Sequence, residues 1–164
     1  MTTPPPIRAP KPMPLSGEEV VAGTDATVVD FWRFALSNLR MNNARGYLAE
    51  FLVAKAVGST GLRIEWDPYD VLAPDGTTIE VKTSAVLQAW DQYKLSTIQF
   101  TGLRSRIWTT EGGLTPTPTY NADLYVFAIQ TARIHEEYNP LLACQWRFYV
   151  LPKQTVEDLS LIHI

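Results

Sequence analysis

YDVLAPDGTTIEVKT, residues 69–83, is the stretch whose reading decides the fold. Ala-Pro-Asp-Gly suits a type I turn with Gly76 in the left-handed conformation, the usual three-residue hairpin loop. With Pro74, Asp75 and Gly76 as the loop, Ala73 pairs with Thr77, Leu72 with Thr78, Val71 with Ile79 and Asp70 with Glu80. Two carboxylates then stand opposite each other, which is destabilising without compensation, and a divalent cation is the natural compensation. Strand alternation puts Thr78, Glu80 and Lys82 on one face and Ile79, Val81 and Thr83 on the other. A two-residue Asp-Gly turn would shift the register by one and send Asp70 to the face opposite Glu80. The plain alternative for the same residues is an exposed hairpin face with weak surface ion pairs.

Working outward, the sequence predicts a helix from Asn43 to Val57 that stops at Gly58, since glycine accepts a left-handed C-terminal conformation. Glu50 shares a face there with Tyr47, Val53, Ala54 and Val57. An ionised carboxylate on an apolar stripe needs a cation or hydrogen bonds, so Glu50 is expected to point at the same centre; the alternative is a bond to Arg45 or Lys55. An earlier amphipathic helix is expected from Thr24 or Asp25 to about Arg40, carrying Val28, Val29, Trp32, Leu36 and Leu39. LRIEW, YDVLA and TTIEVKT read as a β-meander over about residues 62–83. Ser96–Thr101 reads as a further strand, Leu114–Thr119 as a Thr/Pro loop, the apolar run ADLYVFAIQ at 122–130 as a central strand, and Gln145–Leu151 as another. Asp123 reads as an edge or capping residue. A last helix is expected to begin at Lys153. The expected class is α/β, a central mixed sheet flanked by helices.

The chain has 164 residues, 46% of them hydrophobic and 19% charged. That suits one folded domain over residues 25–159. Residues 1–24 read as a proline-rich flexible arm, with six prolines in the first fourteen positions. Residues 160–164 read as a tail, truncated or non-native. No apolar run is long enough for a bilayer span and no signal peptide is evident, so a cytoplasmic location and no membrane partner are expected. The single cysteine, Cys144, excludes an internal disulfide and reads as a small core residue. No Cys/His cluster suggests zinc. The net charge of −3 argues against a protein that coats nucleic acid by bulk electrostatics, but not against a local basic strip.

A helical Glu, then an Asp, then Glu-X-Lys on the adjoining strand resembles the signature of the PD-(D/E)XK nucleases, the restriction-endonuclease-like fold. Here it reads Glu50, Asp70 and Glu80-Val81-Lys82, and the resemblance covers about residues 43–130. Pro68 stands two places before Asp70 rather than next to it. The resemblance implies that Asp70, Glu80 and the Val81 carbonyl hold Mg²⁺ or Mn²⁺, hard cations that prefer oxygen. Lys82 would orient and help deprotonate the attacking water, with Glu50 binding through water or at a second metal. Several branches of the family place a glutamine after the lysine, so Gln88 or Gln92 would contact phosphate or the water. Trp90 or Tyr93 would stack on an unpaired base or pack in the core. Arg104 and Arg106, in the loop TGLRSRIW, would grip backbone phosphates, with Arg40 and Arg45 extending the patch. The expected partner is nucleic acid, DNA first, with homodimerisation left open. The rival readings are an inactive nucleic-acid-binding or protein-interaction domain of the same fold, and a glycosidase-like carboxylate pair, which lacks a sugar platform.

Overall fold

The hairpin turns where its glycine requires. In the computed structural model, which describes residue 7 and residues 9–109 and 113–162, the Gly76 N–H donates to the Ala73 carbonyl at 2.9 Å and Ala73 N–H to Thr77 at 2.9 Å. Gly76 has φ +91°, and the Asp75 carboxylate accepts from the Thr77 N–H at 2.9 Å. The register is that of the three-residue loop: Leu72 opposes Thr78 and Val71 opposes Ile79. These strands are β1 (Val71–Leu72) and β2 (Thr78–Ala85).

The sheet grows from β2 away from β1. β3 (Trp108–Thr109) and β4 (Gly113–Leu114) form a separate small ribbon. β5 (Leu124–Gln130) lies parallel to β2, and β6 (Trp146–Pro152) lies antiparallel to β5. The order β1-β2-β5-β6 is a mixed sheet with the apolar run 124–130 inside it, as its composition predicts. α2 (Asn42–Val57) ends on Gly58 at φ +73° and packs Ala49 and Val53 on Val71, Ile79, Val81, Val126 and Ala128. The opposite face holds Tyr125 and Val156 of α3 (Lys153–Ile162), with Leu103, Tyr120 and Phe127 around them. Glu80 and Lys82 are register partners of Tyr125 and Phe127, so they stand on the α3 side while Ile79 and Val81 face α2.

Several expectations are corrected. Leu62–Trp66 forms no strand, and Leu62, Ile64 and Trp66 are exposed; the meander is only a hairpin, because β1 stops after two residues. Ser96–Thr101 forms no strand: the Ser96 N–H donates to the Val86 carbonyl at 2.9 Å and the Gln99 N–H to the Ser84 hydroxyl at 3.2 Å rather than to a ladder. α1 is shorter than expected, Val28–Leu36. Its start is set by Asp30, which accepts from the Thr27 N–H at 2.9 Å, while Thr24 is used in a turn onto Val21. Its end is set by Ser37, whose hydroxyl donates to the Arg33 carbonyl. Cys144 is exposed in a 3₁₀ turn ahead of β6 rather than buried. Asp123 caps β2, its carboxylate accepting from the Thr78 N–H and hydroxyl at 2.9 and 2.7 Å. The arm's residues 1–6 and 8 and the tail's last two residues lie outside the described residues; α3 runs to Ile162.

Candidate active site

β1 ends where the candidate site begins. The Asp70 N–H still donates to the Ile79 carbonyl at 3.0 Å. Beyond it, the Val81 N–H donates to the Asp70 carboxylate at 2.7 Å, so a side chain replaces the backbone that β1 no longer supplies. A strand residue points its N–H and C=O to the same edge. The Val81 carbonyl therefore faces that edge beside the Asp70 carboxylate.

Glu80, on the α3 side of β2, is ion-paired with Lys82 at 2.5 Å, two residues on along the same face. Glu50 comes from α2 at the margin of its buried stripe; its side chain is 12% exposed and pairs with Arg63 at 2.5 Å. The alternatives Arg45 and Lys55 are not its partners. Arg63 also stacks over Tyr47 at 4.7 Å, one helical turn before Glu50. This arginine was missed by sequence reasoning, because only the fold of the unladdered 62–66 segment brings it to α2. The one local signal is the Tyr47–Glu50 spacing, which makes a single cation-receiving face.

The carboxylates act on one another. Burial, and then the charge of Asp70, push Glu50 up to about 7 against the pull of Arg63. Burial and Asp70 also raise Glu80, opposed by Lys82. Three mutually repelling, partly buried carboxylates and a carbonyl make an all-oxygen donor set, the chemistry a hard divalent cation takes. Among the described residues, no three Asp, Glu, His or Cys side chains enclose an ion position as they stand; Glu50 is turned to Arg63 and Glu80 to Lys82. Tyr47, Glu50, Arg63, Tyr69 and Asp70 line an open cleft of about 710 Å³ beside the edge.

The remaining candidates separate. Gln88 is buried and donates to the Ala85 carbonyl at 2.9 Å. Gln92 staples its loop: it accepts from the Gln88 N–H at 2.7 Å and donates to Val86 and Ser96. Arg104 and Arg106 are exposed in the loop that packs Leu103 on the α3 side, the face of Glu80 and Lys82. Arg40 is tied to the His135 and Tyr138 carbonyls and stacks on Tyr138, which reads as structural. Trp90 and Tyr93 are both exposed.

A family model described as bacteriophage T4 endonuclease IV matches residues 34–159, well over half of the chain. The chain belongs to that family. It is therefore a member of a nuclease family, and the matched span contains α2, the whole sheet and every candidate residue named above. No curated protein and no solved structure matches the chain. Among the described residues, no helix is long and apolar enough to cross a membrane.

Proposed function

We propose that this endonuclease IV family member is a divalent-cation-dependent nuclease hydrolysing phosphodiester bonds of DNA, with a centre of PD-(D/E)XK type. The observation that carries the reading is the meeting of Glu50, Asp70 and Glu80, each in the others' field, beside Lys82 on one strand edge. Asp70, Glu80 and the Val81 carbonyl would hold Mg²⁺ or Mn²⁺, with Glu50 as an outer or second-ion ligand. Bound there, the cation supplies positive charge to the phosphate as it becomes pentavalent and makes a water more acidic.

The chain's own groups do the rest. Asp70 is locked by the Val81 N–H, so one of its oxygens is oriented before any ligand arrives. Lys82, ion-paired with Glu80, would orient the attacking water and neutralise the non-bridging phosphate oxygens. Burial and Asp70 push the Glu50 carboxyl up to about 7 in the metal-free centre, and a cation bound beside it would bring it back down, so cation binding there would release a proton. The arginine loop on the same face, Arg104 and Arg106, supports backbone contacts to the strand.

The test is cleavage of labelled single- and double-stranded DNA and RNA with Mg²⁺, Mn²⁺ or EDTA, comparing wild type with Asp70→Ala and Lys82→Ala. Cation-dependent cutting that both substitutions reduce by about 10²-fold or more supports the reading. DNA binding without cutting under any condition overturns it in favour of an inactive relative.

A further inference from the structure

Arg45 is a buried cation without an anion. It sits in the first turns of α2, is 4% exposed, and forms none of the ion pairs among the described residues. Its guanidinium donates only to neutral acceptors: the Arg40 carbonyl at 3.3 Å, Asn42 Oδ1 at 2.7 Å and Gln88 Oε1 at 3.4 Å. Its Nε has no hydrogen-bond partner among the described residues. Arginine stays protonated in proteins, and a buried charge is costly unless paired.

That charge forms part of the wall of an open pocket of about 570 Å³. Around Arg45 the pocket presents Asn42, Thr83, Ser84, Gln88 and Thr97, hydroxyl and amide groups, and its lining contains no Asp or Glu. The N-terminus of α2 opens beside it: Met41 offers no side-chain cap and the first turn holds no acid, leaving the positive end of a 16-residue helix without a counter-charge. Trp90, 56% exposed, stands on the rim. This is a different cleft from that of Glu50 and Asp70, but it is close to it along both elements. Ser84 lies about 7 Å beyond Lys82 along β2 at strand rise, and Arg45 about 7.5 Å from Glu50 along α2.

We infer that the Arg45 pocket is a second phosphate site, which takes a backbone phosphate of the bound strand close to the one cleaved. Both spans are short enough for one nucleic-acid strand to reach the two clefts together, and Trp90 offers its face to the base attached there. The inference rests on the nuclease reading for its substrate, but its test does not depend on cleavage.

The experiment measures binding of a fluorescent single-stranded DNA oligonucleotide by anisotropy in EDTA, over a series of salt concentrations. It compares the full chain with Arg45→Met and Thr97→Glu. Thr97 is exposed, so its substitution puts a negative charge into the pocket without touching the core, and it keeps the test valid if Arg45→Met fails to fold. Thr97→Glu is expected to weaken binding about tenfold, as a like charge a few ångströms from the phosphate requires. Arg45→Met is expected to flatten the slope of log affinity against log salt by about 0.7, one phosphate contact on a single strand; a merely structural arginine leaves that slope unchanged. Unchanged affinity and slope in both variants overturn the inference, and cleavage by the wild type would then still uphold the nuclease reading. A pocket dependence that persists in a protein that cuts nothing upholds the site and removes the nuclease. If inorganic phosphate raises the melting temperature of wild type but not of Thr97→Glu, while oligonucleotide affinity ignores both substitutions, the pocket serves a small phosphorylated molecule and the backbone assignment falls.

Discussion

Glu50→Gln tests the electrostatics of the centre without any knowledge of substrate. The Glu50 carboxyl is lifted from 4.5 to about 7, mainly by burial and then by Asp70. The folded chain thus holds this proton more tightly than the unfolded one, so the contribution is greatest below about pH 4.5 and is lost as pH rises towards 7. At about 1.4 kcal/mol per pH unit of separation, the loss is at most roughly 3 kcal/mol. Glu80 is displaced in the same direction, so Glu50→Gln flattens the pH dependence of stability rather than abolishing it. Arg63 loses its partner in the variant, but its side chain is 38% exposed and water replaces the carboxylate. Urea unfolding at pH 5 and pH 8 measures the effect: wild type is expected to lose about 2–3 kcal/mol more than Glu50→Gln between the two. Equal losses would mean that Glu50 is not a strained carboxylate, and the account of the centre would fail with it.

Three further outcomes are expected. Mg²⁺ or Mn²⁺ should raise the melting temperature of wild type clearly at pH 8 and little at pH 5, because protons compete for the same oxygens; Asp70→Asn should remove most of that gain. Arg63→Ala takes away the cation that pulls Glu50 down, so the acidic limb of the pH–rate profile should move to higher pH, and a profile that stays in place would detach Glu50 from catalysis. Gly76→Ala forces a side chain into φ +91° and should cost about 1 kcal/mol in urea unfolding.

What the sequence revealed followed from local chemistry. The hairpin register was legible because Pro74, Asp75 and Gly76 admit few turns, and it placed Asp70 by Glu80 before any tertiary contact was considered. The stop of α2 at Gly58 and the interior position of 124–130 were legible for the same reason. The 62–66 and 96–101 segments misled because alternation of apolar residues marks only a local tendency, and a ladder also needs the chain to run alongside a neighbouring strand, which neither segment does. Arg63 and Arg45 were not legible in their roles, since a long side chain's partner is set by which elements pack together. Arg45 in particular reads as surface patch in one dimension and is buried in three.

The β1 ladder reaches only Thr78 and Ile79 of β2, so the outer edge of β2 beyond them has no strand partner among the described residues, a situation in which sheets recruit strands from other molecules. Asp70 occupies the Val81 N–H there with a charged group, and Glu50 and Glu80 crowd the same margin. An incoming strand would have to displace a carboxylate and lie against two more. The acids proposed to gather a cation would thus also disfavour edge-to-edge strand pairing, and neutralising them is expected to lower solubility as well as activity, which light scattering of Asp70→Asn against wild type measures.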